Sequence, residues 1–217
     1  MIEDVTVEVD AEAVVVWARL RLVTVSSAVI GGGFAAAHAI VNCHVPKGFR
    51  CEDTERTLAD FARRRAIAPP WIGLLTAACT EKAELAYDAA GGLSALAVVT
   101  IGLSNTASAG RSDAAAWAPS TINTILVVDA DPEPAALVNL VITATEAKSL
   151  ALAEAGVRTP DGRLASGTST DAVVVAATGR GRSYRFGGPV SELGAVAGRA
   201  ARSALDAGIR RWLDDSS

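Results

Sequence analysis

The sequence predicts a mixed α+β fold, a single domain in which β-sheet forms a layered sandwich with flanking helices. Three observations lead there. Strand-forming runs crowd the first half of the chain. The apolar run Ile122–Asp129 is followed at once by a long, almost wholly apolar helix. The chain then closes on an amphipathic helix, Ser191–Leu213. Strands in runs, with a few helices between and after them, belong to α+β or mixed sandwiches rather than to an all-parallel α/β fold.

Val5, Val7 and Val9 alternate with polar residues, as in a half-buried strand, and Val14–Trp17 continues after a turn at Asp10-Ala11, so the chain opens on a hairpin. Leu22–Ile30 reads as a strand broken by Gly31-Gly32-Gly33, and Ala36–Val45 as the next. Asp53–Arg65 carries Leu58 and Phe61 at helical spacing, with Asp53 as cap, Arg63-Arg64-Arg65 as its cationic end and Pro69-Pro70 beyond it. Gly73–Cys79 and Leu93–Leu103 read as buried strands, and Ser108–Pro119 as a loop of small residues. Asp131-Pro132-Glu133-Pro134 starts a helix with Asp131 as its cap, and Gly156 stops it after Ala155. Asp171–Thr178 and Tyr184–Phe186 are the last strands.

With 217 residues, half of them hydrophobic, the chain can bury a full core. A net charge of -4 gives no nucleic-acid footprint. Three cysteines without C-x-x-C spacing argue against a disulfide framework or thiolate zinc site and fit a reducing cytoplasm; Cys43 and Cys79 lie in apolar stretches and read as small core residues. The acidic start Met1-Ile2-Glu3-Asp4 is not a signal peptide, and Ser26–Val45, with three glycines and two histidines, is a poor spanning helix. There is no P-loop, no G-x-S-x-G elbow and no H-E-x-x-H; His38 and His44 on one strand would stand about 20 Å apart, too far to share an ion.

The chemistry-bearing residues sit beside buried elements, where unpaired polar groups are costly. On the apolar helix, Asn139, Thr143 and Glu146 are spaced by four and three and share a face. A carboxylate on a helix buried on more than one side would be desolvated, which suits Glu146 to proton transfer; a salt bridge to an arginine is the structural alternative. Lys148 lies about 200° further round, so it cannot enter the same pocket, and it is assigned a structural ion pair. Thr121 and Asn123, two apart, share a face of the following strand. Gly167-Thr168-Ser169-Thr170-Asp171 places hydroxyls and a carboxylate at the mouth of another strand. Asn105 stands where a strand ends, the triple glycine allows close backbone approach, and His44 is a further acid–base candidate.

Eight blocks, in order, resemble one family. They are Ser27–Gly33, Val41-Asn42-Cys43-His44-Val45, Gly73–Ala78, Val99–Asn105, Thr121–Asp129, Thr145-Glu146-Ala147-Lys148, Gly167–Ala176 and Gly188–Gly194. The chain is similar to the adenosylcobinamide amidohydrolases of corrinoid salvage over most of residues 27–200. It departs from them at Ser120, where glycine is expected, at Val190-Ser191 and at Asp131. A slighter likeness links the strand–helix ending in Thr-Glu-Ala, with the Thr-Asp strand block, to the self-processing aminopeptidase and ornithine acetyltransferase group, whose sheets stack between helix layers.

The resemblance implies cleavage of the amide that joins aminopropanol to the propionyl arm of the corrin, giving adenosylcobyric acid and aminopropanol. Cobalt would enter within the corrinoid substrate, so no cofactor or protein-held metal is expected, and neither is a nucleic-acid or membrane partner; a homo-oligomer is left open. Catalysis would rest on Glu146 as base toward water, Asp171 orienting the amine, and Asn123 or a backbone amide near Thr121 holding the oxyanion. A covalent Thr121 or Thr168 is the alternative. Gly31, Gly32, Gly33, Asn42, His44, Asn105, Asn139, Thr143, Thr168 and Thr170 would bind a substrate rimmed with amides. The rival readings are an amidase for another corrinoid or amide, and a non-catalytic corrinoid-binding protein.

Overall fold

The computed structural model describes residues 1–114 and 120–215. Among the described residues, twelve strands and three helices succeed one another. The strands are β1 (Val5–Val9), β2 (Ala13–Ser26), β3 (Gly33–His44), β4 (Trp71–Thr76), β5 (Glu84–Ala90), β6 (Leu93–Ile101), β7 (Thr106–Ala107), β8 (Ile122–Val128), β9 (Asp131–Pro132), β10 (Gly167–Thr168), β11 (Ala172–Ala177) and β12 (Ser183–Tyr184); the helices are α1 (Thr54–Arg64), α2 (Pro134–Glu154) and α3 (Glu192–Asp215).

The main sheet runs β4-β3-β2-β11-β8-β6-β5, with β1 paired to the first half of β2. β2 is one strand where the sequence suggested two, because a bulge between Trp17 and Leu22 bends it without ending it. Its first half pairs with β1, and its second half, Val23–Ser26, pairs with β11. The sheet thereby folds back on itself. Val14, Ile40, Ile72 and Leu74 of β2–β4 pack against Val98, Ile125, Val127, Val174 and Ala176 of β6, β8 and β11. α1 covers the outer face of β2–β3 through Leu58, Phe61 and Ala62, and α2 and α3 cover the far face of β6, β8 and β11. The order of layers is α, β, β, α.

Period-two alternation assigns the faces. Along β8, Ile122, Leu126 and Val128 face the helices, while Ile125 and Val127 face the opposite sheet. β8 is buried throughout, which is why it reads as a continuous apolar run. α3 lies close to the sheet because Ala197, Ala200, Ala201 and Ala204 form its buried stripe. A side chain at Gly194 would run into the carbonyls of Gly187 and Gly188, so glycine is required where the helix starts.

Several expectations need correction. β5 is an edge strand with no fully buried residue and no β-branched side chain, so it carries neither signal of a strand and was missed. Asp53 precedes α1 without a side-chain cap bond. Asp131 does not cap α2; it pairs in β9 with β12, and Glu133 precedes the helix. Cys79 is exposed rather than core, whereas Cys43 is buried and its thiol is pushed up to about 11 by that burial. Ser26–Val45 is the end of β2 and β3. The expected loop Ser108–Pro119 is described only to residue 114; its remainder lies outside the described residues. α2 is long and apolar enough to cross a membrane by length and composition alone, but it packs here on the sheet and α3.

Phe61 is the largest side chain that fastens α1 to the outer sheet. Phe61→Ala is expected to destabilise the fold by about 3–5 kcal/mol, with an unchanged denaturant m-value, checked by urea unfolding.

Candidate active site

Five strand ends meet at one edge of the sandwich. β8 and β11 run parallel, so their starts lie side by side, with Ala172 opposite Asn123. β6 runs antiparallel to β8, which brings its end, Ile101, opposite Ile122. In the facing layer β3 and β4 are parallel and end together at His44 and Thr76. A cleft of about 180 Å³ opens here, lined by Ser27, Thr76, Ser120, Thr121, Asn123, Thr170 and Asp171 among others. Three of the four residues named as catalytic from sequence therefore line one cleft.

Asp171 is the junction. Its Oδ1 accepts from the Ile122 amide at 3.0 Å and from the Thr168 hydroxyl, and its Oδ2 accepts from the Thr168 amide at 3.1 Å and from Lys148 Nζ. The Lys148 and Asp171 side chains are only 8% and 11% exposed. With four donors on two oxygens, the carboxylate has no lone pair left to activate water or hold an amine. Its expected role as an orienter of the leaving amine gives way to one of holding the cleft's walls together.

Asn123 is equally committed. Its Nδ2 donates to Asn42 Oδ1 and to the Leu75 carbonyl, each at 2.8 Å, and Asn42 Nδ2 donates to Thr100 Oγ1 at 2.9 Å. Both amide hydrogens of Asn123 are taken, so it cross-links the two sheets and has none to offer an oxyanion. Asn42 is part of that link and does not line the cleft. Thr121 Oγ1 lies 3.0 Å from Asn123 Oδ1 and 2.7 Å from the Thr170 carbonyl, the acceptors for its proton. Thr170 Oγ1 returns a bond to the Ser120 carbonyl at 2.7 Å. Ser120 Oγ accepts from the Ser104 amide at 3.1 Å.

Glu146 is not in this cleft. It is exposed and borders a groove between α2 and α3 with Thr143, Arg199 and Arg202. The inference that Glu146 and Lys148 point to opposite sides holds, but it is Lys148 that faces the site. α2 has apolar residues on its solvent side as well, Val138, Ile142 and Leu150 being 42%, 48% and 53% exposed, so apolarity did not mark the buried face. Asn139 and Thr143 leave the site with Glu146; Thr143 Oγ1 donates to the Gly187 carbonyl at 2.9 Å. Gly31, Gly32 and Gly33 do not line the cleft, although Ser27 and Val29 just before them do; a side chain at Gly31 would meet Trp71 and Ile72. Thr168 serves Asp171, and Asn105 Nδ2 bonds Ser169 Oγ at 2.7 Å beyond the cleft. His44 lines a neighbouring cavity. Ser120 was missed as a lining residue; its position directly before Thr121 was the available signal. Among the described residues, no three His, Cys, Asp or Glu side chains cluster as metal ligands would.

Fold and site together define a four-layer α/β protein with a hydroxyl-lined cleft braced by a buried ion pair. A sequence model of the adenosylcobinamide amidohydrolase family matches residues 2–217, and the chain belongs to that family. It is 38% identical over 147 residues to the adenosylcobinamide amidohydrolase of Methanosarcina mazei, a stretch covering 68% of this chain and 66% of that protein, just short of two thirds of its length. Among solved structures, a Burkholderia sp. beta-aminopeptidase is similar at TM-score 0.46 and 12% identity, over 93% of this chain and 78% of that one. A protein from Pyrococcus horikoshii gives 0.49 and 11%, over 94% and 79%. The L-aminopeptidase D-Ala-esterase/amidase of Ochrobactrum anthropi gives 0.43 and 12%, over 95% and 83%.

Removing one partner of the buried pair strands the other charge. Lys148→Met is expected to cost about 3–5 kcal/mol, whereas Glu146→Gln on the exposed face should stay within about 0.5 kcal/mol of the parent. Chemical denaturation of the two variants measures both.

Proposed function

We propose that the chain hydrolyses the aminopropanol amide of adenosylcobinamide, giving adenosylcobyric acid and aminopropanol. The observation that carries this reading is the convergence of Thr121 and Thr170 with the Asp171–Lys148 brace on a single cleft, in a chain of this family. The M. mazei relative, which bears that activity as its name, supports it. So does size. A cleft of about 180 Å³ takes an amide side arm and not a macrocycle, so the corrin rests at the mouth with its cobalt as part of the substrate. The cysteine usage supports a cytoplasmic location.

Thr121 is the attacking hydroxyl in this reading. Two routes were open, water activated by a carboxylate and direct attack by a hydroxyl. Glu146 is on another surface, and the oxygens of Asp171, the one carboxylate among the described lining residues, are filled. Direct attack therefore fits the geometry better. Thr121 would form an ester with the propionyl carbon, aminopropanol would leave, and water would release cobyric acid. A backbone amide near Thr121 is the donor for the oxyanion, a contact worth about 3 kcal/mol.

Incubation of the protein with adenosylcobinamide, followed by mass spectrometry, should yield both products. Thr121→Ala should lower turnover on the order of 10³-fold or more, and a rapid quench should leave the corrinoid acyl group on the Thr121 peptide. Products formed at the parent rate by Thr121→Ala would remove it from the chemistry.

A further inference from the structure

A second cavity, of about 380 Å³, lies against the cleft and shares Ala77 and Ser120 with it. His44 lines this second cavity, while its register partner Thr76 lines the first. The imidazole Nδ1 lies 3.0 Å from the Ala78 carbonyl. A carbonyl only accepts, so Nδ1 carries a proton, and in the neutral ring the lone pair is on Nε2. A backbone carbonyl that fixes the tautomer in this way leaves Nε2 ready to take up a proton.

Among the described residues, the other titratable groups of that cavity come from three segments. They are Lys47 after β3, Cys79 and Lys82 after β4, and Asp215 at the end of α3. Lys82 and Asp215 are paired with each other at 2.8 Å. Lys47 is a cation with nothing to accept a proton, and Cys79 is an exposed thiol. The Asp171 oxygens in the adjoining cleft are filled, as described. The imidazole is the group suited both to take a proton and to return it.

We propose that His44 is the acid–base residue of amide cleavage, with the scissile amide straddling Ser120. This inference rests on the amidase reading above and assigns the proton transfers that reading lacks. The carbonyl carbon lies on the Thr121 side of Ser120 and the nitrogen on the His44 side. As Thr121 Oγ1 bonds to the carbonyl carbon, its proton passes to His44 Nε2. The C–N bond then breaks, Nε2 gives that proton to the departing nitrogen, and aminopropanol leaves as the neutral amine. In the second half, water attacks the ester, its proton passes to Nε2, and Nε2 returns it to the Thr121 oxygen as cobyric acid departs.

The test compares the parent protein with His44→Gln and His44→Ala, using adenosylcobinamide as substrate. Thermal melting by circular dichroism and corrinoid affinity by absorbance titration show that the variants fold and bind. His44→Gln should lower kcat about 10²–10⁴-fold with little change in affinity, and it should lose the fall of kcat/KM toward acid pH. Added imidazole should restore turnover to His44→Ala, which a purely structural histidine would not allow. Parent-like kcat in His44→Gln, or a retained acid limb, overturns the role of His44 while leaving the amidase reading intact. Failure of the parent protein to release aminopropanol overturns both.

Discussion

The site depends on one carboxylate that is completely spoken for. Asp171 receives a backbone amide from the start of β8, an amide and a hydroxyl from the turn before β11, and the ammonium of a lysine from α2. Each alone is a modest contact. Together they tie a strand, a turn and a helix to a single point, and charge-assisted hydrogen bonds are the stronger kind. A buried ion pair contributes little net stability after desolvation, so its value here is positional. It sets where the chain bearing Ser120 and Thr121 lies relative to the turn bearing Thr170, and those segments are the walls of the cleft.

Topology explains why the walls meet at all. In an open parallel sheet, ligand sites gather at the carboxyl ends of strands. Here the parallel pair β8 and β11 contributes its starts instead, because antiparallel β6 and the facing pair β3 and β4 bring their ends to the same edge. The fold-back of β2 at its bulge stacks the second layer over the first. The Asn123–Asn42–Thr100 chain then pins the two layers together beside the cleft. Buried amides that satisfy one another in this way resist sliding of the sheets, since any shift would leave several polar groups unpaired in an apolar interior.

Much of the fold was legible because its signals are local. The opening hairpin, the continuous apolar run of β8 and the alternating stripe of α3 each follow from burial on one face or two. The site was partly legible for the same reason: Thr121 and Asn123 two apart on a strand, and a Thr-Asp turn entering another, are local patterns. Which strand ends lie together is a matter of long-range pairing, and no local pattern reports it. The reading of Asn42 and Asn105 as amide-binding groups, and of Asn123 as an oxyanion donor, was chemically reasonable. It assumed that a polar side chain near a site faces the ligand, whereas Asn42 and Asn123 face each other.

The helix α2 shows most clearly why a residue type alone did not decide the chemistry. On an evenly apolar helix, a glutamate and a lysine two residues apart are equivalent candidates until the buried side is known. The turn preceding β11 supplies what was missing. An ideal Cβ on Gly167 would lie 2.8 Å from Lys148 Nζ and would also crowd the Asp171 carboxylate, so glycine there leaves room for a partner reaching in from the helix. A lysine can meet that demand, because its long stem packs against apolar neighbours while the ammonium reaches the carboxylate. A glutamate at the same place would set two anions together. Asp171 and Gly167 thus select a cation from α2, and the acidic residue is left to the exposed face.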